Sequence, residues 1–179
     1  MYVVLMAMLA LNVSSDVLEG FSLVDESLNR SKENSSMQNE AIYKELEAAM
    51  KRNPEKTRQW YEKAQQVRKM SDSLYLFAEE LKWEIVRDVD GDDADLENIE
   101  GRDNLEAATH VMLAPGVGKG SKLKQAIESY RDGITRMIND QQQKEIIQSN
   151  LTTEVPRKAK MLGKNWQEYM FENTPVAAA

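Results

Sequence analysis

Few residues of this chain have a type and spacing that could do chemistry. Gly118-Lys119 lies in the run Leu113 to Ser121, LAPGVGKGS. A phosphate-binding loop needs a glycine, four further residues, glycine-lysine and then a hydroxyl for magnesium. Leu113 stands where the first glycine belongs and Gly120 where the hydroxyl belongs. The run reads instead as a turn between helices, with Ser121 as the N-cap of the second. Asp88, Asp90, Asp92, Asp93, Asp95 and Glu97 carry the charge of a calcium loop. Counted from Asp88, the position that needs glycine is Asp93 and the position that needs glutamate is Ile99, so a solvated acidic loop fits better. His110, with Asp103 and Glu106 near it in sequence, reads as a surface or packing histidine. Glu79-Glu80 belongs to a charged helix face. There is no cysteine, hence no thiolate nucleophile and no disulfide framework. No serine or threonine stands in an activating motif. The expectation is a protein that is not an enzyme, with no cofactor and no metal.

The 179 residues hold 23 Lys and Arg against 30 Asp and Glu, a net charge of −7. Bulk charge of that sign argues against nucleic acid and against anionic lipid headgroups as partners. Glycine and proline are few, and Glu, Lys, Gln, Ala, Leu and Met are abundant, which predicts helix. No alternating run is long enough for a sheet.

The elements that would position any function begin with Met1 to Val13, MYVVLMAMLALNV, uncharged and with Asn12 as its one polar residue. As a helix it would span about 20 Å, against about 30 Å of hydrocarbon in a bilayer. Three readings compete: a buried core helix, a signal-peptide hydrophobic region, and the outer part of a membrane-spanning helix. A signal peptide would have a basic residue before the apolar run and a small-x-small cleavage site after it, and neither is present. Beyond Ser14, Ser15 and Asp16, the residues Val17, Phe21, Val24 and Leu28 recur at helical spacing, with Leu18 beside them. One continuous helix would then change from apolar all round to amphipathic at about Ser14, as where a helix leaves a bilayer for a bundle.

Ser31 to Ser36, SKENSS, reads as a break, and Met37 to Arg52 as a second helix. Asn53-Pro54 ends it and starts a third, which should run to about Arg87. In that third helix Trp60, Ala64, Val67, Ser71, Leu74, Ala78, Leu81 and Ile85 alternate four and three apart. This heptad seam suits an antiparallel bundle or a dimer, with Trp60, Val67, Leu74 and Leu81 as its principal contacts. A short helix over 104–113 follows the acidic loop. A fourth long helix should start at Ser121 and run through Gln141-Gln142-Gln143 to Ile147. Thr152 to Lys164 is polar, and Asn165 to Asn173, with Trp166, Tyr169, Met170 and Phe171, forms a compact apolar cap.

MYVVLMAMLALNVSSDVLEGFSLVDESLNRS at the start, then NPEKTRQWYEKAQQVRK, RDNLEAATHVML, GKGSKL and GKNWQEYMFENTPVAA in order, resemble the GldM/PorM family of the gliding and type IX secretion motor. The resemblance covers most of the chain. It implies an all-α fold: a transmembrane helix (1–15 its periplasmic-side part), a periplasmic antiparallel helical bundle (16–175), and a boundary to further domains (176–179). It also implies an inner-membrane, single-pass protein with its bulk in the periplasm. Two copies would place their spanning helices inside a ring of five copies of a GldL/PorL-like membrane protein, and proton flow would turn one against the other. Downstream domains would reach outer-membrane type IX components. Tyr2 matches a tyrosine that the family uses inside the ring, and Met6, Leu9 and Asn12 would share its face toward the partner. A phenol in hydrocarbon needs a hydrogen-bond partner, which a ring carboxylate would supply; the plainer reading of Tyr2 is an interfacial anchor. Asn12 would bond across helices or sit near the headgroups. The family's basic intramembrane residue belongs before Met1.

Two further classes remain. A ligand-sensing bundle of chemoreceptor type would need a second membrane span, which Thr174 to Ala179 does not offer. A hydrolase would need a nucleophile and base, and no such pair is visible.

Overall fold

The structure, a computed structural model, describes residues 13–179. The apolar segment up to Asn12, and with it Tyr2, Met6, Leu9 and Asn12, lies outside the described residues. Among these, every regular element is helical, as the composition predicts. No helix among them is long and apolar enough to cross a membrane.

Helix α1 spans Ser15–Arg52. Ser14 caps it: its carbonyl accepts from the Leu18 N–H at 3.1 Å and its hydroxyl from the Val17 N–H at 3.4 Å. The expected unbroken helix through Ser14 is therefore replaced by a start at Ser15. The expected break at Ser31–Ser36 is absent, and α1 runs through it for 38 residues. Serine and asparagine break helices when their side chains bond the backbone, and none between 31 and 36 does. The remaining cost is a few tenths of a kcal/mol per residue. Lys32, over the Tyr75 ring at 5.5 Å, ties this stretch to the next helix.

Helix α2 spans Pro54–Asp90. Asn53 alone separates it from α1. The Asn53 side chain accepts from the Lys56 N–H at 3.3 Å, and Pro54 takes the first helical position, where its missing N–H costs nothing. A 3-10 turn at Gly91–Asp93 follows. Then come α3 (Ala107–Leu113), α4 (Gly120–Met137), α5 (Gln141–Asn150), α6 (Arg157–Met161), α7 (Trp166–Phe171) and a 3-10 turn at Val176–Ala178.

Three expected boundaries move. Asn104 stays outside α3, because its side chain accepts from the Glu106 and Ala107 N–H groups at 2.8 and 2.9 Å. Ser121 is not a cap: α4 already begins at Gly120, and the Lys119 carbonyl takes the first helical bond, from Leu123 at 3.0 Å. The fourth helix does not run through to Ile147. Asp140 adopts extended backbone and accepts from the Gln143 N–H at 2.8 Å, so it caps a separate α5.

The chain divides into two compact units. Unit 1 takes the described part of 1–24 with 77–125 and 153–179. Its core joins Leu81, Ile85 and Val86 of α2 to Ala107, Ala108 and Met112 of α3, and to Trp166, Phe171, Ala159 and Val176. Helices α3 and α7 pack together. Trp166 and Phe171 meet edge to face, with centroids 6.0 Å apart. Thr109 donates to the Phe171 carbonyl and accepts from the Asn173 N–H, both at 3.1 Å. A capping box of Asn165 and Glu168 starts α7. Val176 and Ala177 donate to the Asn104 and Arg102 carbonyls, each at 3.0 Å. Arg102 in turn donates to the Leu18 carbonyl at 3.0 Å and to the Ser22 hydroxyl.

Unit 2 takes 25–76 and 126–152. Within it α1 and α2 run antiparallel. Arg68 reaches Glu40 at 3.3 Å and lies over the Tyr43 ring at 4.9 Å. Helix α4 lies antiparallel to α2 as well: Ser71 and Tyr130 share a 2.8 Å hydrogen bond, and Lys63 takes the terminal Met137 carbonyl at 3.1 Å.

Candidate interaction surfaces

The glycine-rich turn is built for packing. The Gly118 N–H donates to the Ala114 carbonyl at 2.7 Å and the Lys119 N–H to the Val111 carbonyl at 3.1 Å. A side chain at Gly118 would meet the backbone of Met112 and Ala114 at 2.7–2.9 Å. The Lys119 ammonium is held by Glu84. Two backbone donors of the turn and its lysine cation are thus engaged by the protein itself. The acidic loop is engaged likewise. Asp90 accepts from the Glu100 and Gly101 N–H groups at 3.1 and 2.9 Å, and Asp95 accepts from Glu97 at 2.9 Å. Among the described residues no group of three carboxylates or histidines converges as metal ligands would. His110 is exposed, and its nearest acidic partner is Asp88 of α2, at 3.3 Å, rather than Asp103 or Glu106.

The heptad seam of α2 changes character along its length. Leu81 and Ile85 are buried in unit 1. In unit 2, Val67 and Leu74 are half-buried and Trp60 is 60 % exposed. Lys63 of the same helix lies 5.3 Å over the Trp60 ring. Helix α1 also leaves apolar side chains in solvent, among them Val24, Leu28 and Ile42.

A third surface goes unmarked when Thr152 to Lys164 is read only as a polar stretch. Helix α6 closes with a paired bond pattern, Gly163 N–H to the Lys160 carbonyl and Lys164 N–H to the Ala159 carbonyl, both at 3.1 Å. This is the Schellman termination, with glycine left-handed at φ 76°. It fixes Met161 and Leu162 facing solvent, 79 % and 77 % exposed. Arg157, Lys158 and Lys160 surround them and make no side-chain hydrogen bond or ion pair among the described residues. Lys164 pairs with Glu172 at 2.6 Å. The signal was present in the run RKAKMLGK, whose interleaved cations and apolar residues are unlike the rest of an acidic chain.

No curated protein matches this chain. The family model of the GldM N-terminal domain matches residues 16–179, from the second residue of α1 through the other six helices to Ala179. With more than nine-tenths of its length matched, this chain belongs to the GldM/PorM family, through its N-terminal domain.

Proposed function

We propose that this chain is the membrane-proximal, helical part of a rotary motor subunit that carries proton-driven motion from the inner membrane into the periplasm. Its family is one of gliding-motility and type IX secretion components. The observation that supports a transmitting role is the pair of helices of 38 and 37 residues joined through the single residue Asn53. At about 1.5 Å per residue each is a rod of roughly 55 Å. Two copies would seat their apolar N-terminal segments in a five-membered GldL/PorL-like ring, with Tyr2, Met6, Leu9 and Asn12 toward it, and the subunit would perform no catalysis of its own. Motion leaving the apolar segment would cross the non-helical pair Val13-Ser14 before it enters α1.

The test is made in cells that carry the full-length gene. A label on the exposed outer face of α1 should turn, and should stop turning when a protonophore collapses the membrane gradient. Tyr2→Phe should leave the ring complex assembled while gliding and secretion fall. Rotation that persists without the gradient would overturn the motor reading, and normal secretion in the Tyr2 variant would remove that residue from it.

A further inference from the structure

We propose that the turn between α6 and α7 is a docking element for an anionic bilayer surface, with Arg157, Lys158 and Lys160 on lipid phosphates and Met161 and Leu162 in the headgroup–acyl boundary. The residues 156–164 hold four of the chain's 23 cations and no acidic residue. Three of those cations have no partner among the described residues, and they flank the two most exposed large apolar side chains of the structure. Basic residues beside protruding apolar ones are the chemistry of interfacial attachment. The net charge of −7 does not oppose it at contact, because salt screens charges beyond about 8 Å while the turn meets phosphates directly. Each cation near an anionic surface strengthens attachment by about fivefold.

A protein partner fits less well. A stable protein interface needs about 800 Å² from each side, and this turn offers five exposed residues held on a fixed backbone. A lipid surface needs no matching groove. The same unit carries the start of α1, directly after the apolar segment, with the Leu18 carbonyl bonded by Arg102. If that segment is seated in a membrane, as proposed above, the turn works tethered, and weak contacts suffice at high effective concentration.

The chain has no cysteine, so one introduced thiol carries one label. The full 179-residue chain is placed in nanodiscs of phosphatidylcholine alone, or mixed with phosphatidylglycerol, with brominated acyl chains as quencher. An environment-sensitive dye at Leu162→Cys should be quenched several-fold more in the anionic discs. Raised salt should reverse this, and so should R157E/K158E/K160E, whose exposed positions leave the helical circular dichroism intact. A dye at Val117→Cys, an exposed apolar site in the α3–α4 turn, should stay unquenched in both. A dye at Val13→Cys reports whether the chain is seated at all. If Val13 is quenched and Leu162 is not, docking is wrong and the membrane reading stands. If neither is quenched, the membrane reading fails and takes docking with it. Equal quenching of Leu162 in both lipids removes the electrostatic contact. Shielding of Leu162 without bromine quenching, with a larger sedimenting mass that the charge reversal abolishes, makes the turn a protein interface and overturns the proposal.

Discussion

Both units contain stretches of the same two long helices, yet they are held together differently. Unit 1 contains every apolar side chain that is buried among the described residues, from Leu81 to Val176. The helices that enclose the α2 end there are short: α3 has seven residues and α7 six. Unit 2 has the longer uninterrupted helices and no buried apolar side chain among the described residues. Its helices are joined by polar links, namely Arg68 to Glu40, Ser71 to Tyr130, and Lys63 to the Met137 carbonyl. Long helices present narrow stripes, and a core forms where irregular segments wrap a stripe on several sides.

Two of the three tryptophans, Trp166 and Trp60, test this contrast most strongly. Trp166→Ala should cost about 3–5 kcal/mol, since it removes a large buried ring and its edge contact with Phe171. Trp60→Ala, at an exposed site, should change stability by no more than about 0.5 kcal/mol. Urea unfolding followed by circular dichroism measures both. Equal losses would mean that Trp60 is covered in solution, as a dimer seam would cover it.

A second experiment probes the tightest approach in unit 2. A side chain at Gly133 of α4 would place its Cβ 2.2 Å from the Met70 methyl carbon of α2. Gly133→Val should destabilise by about 1 kcal/mol, the low end for overpacking, because what it meets is the far end of the flexible Met70 side chain, which can swing aside. Combining it with Met70→Ala should recover part of that loss, an interaction visible in a thermal double-mutant cycle. Strict additivity would show that α2 and α4 are not in contact there. Ser71→Ala, which removes the hydroxyl paired with Tyr130, should cost about 0.5–1.5 kcal/mol by the same assay, the cost of one part-buried hydrogen bond.

Local chemistry that one side chain can announce was legible in the sequence. Asn53-Pro54 sets the α1–α2 boundary, and the apolar run from Asn165 to Asn173 marks the last element, whose Asn165–Glu168 capping box only the structure shows. The errors arise where a residue has two uses. Ser31 to Ser36 has the composition of a break, but no side chain there turns back on the backbone. Asp140 sits in a run that reads as helix, and only its carboxylate bond to Gln143 reveals a cap. Ser121 follows glycines as a cap should, yet contacts of Lys119 with Val111 and Glu84, distant in sequence, set the helix start before it. The seam of α2 was visible as spacing, whereas which part of it becomes core depended on α3 and α7, which no periodicity in α2 encodes. The glycine-rich run reads as a turn between helices, and its bonds agree, apart from the Ser121 cap. The basic turn at 157–164 was legible only to a reader weighing local charge against the acidic whole.

The smallest effect expected concerns Tyr43, in the unit that lacks a core. Its phenol holds its proton above the ordinary value near 10. Burial is the main cause, the charges of Asp72, Tyr130 and Glu40 add to it, and the Arg68 cation opposes it. A raised value in the folded state means that the unfolded chain loses the proton first as pH rises. The contribution is therefore complete below about pH 10 and declines as pH climbs through the folded value. Tyr43→Phe should abolish that part of the alkaline loss, narrowing the gap between urea midpoints measured at about pH 8 and about pH 11. Arg68→Gln should push the Tyr43 titration higher still in an absorbance titration, because it removes the cation that favours the phenolate. A midpoint gap identical in wild type and Tyr43→Phe would show that water reaches the ring freely. Unit 2 would then be looser around its polar links than the Arg68–Tyr43 stacking at 4.9 Å implies.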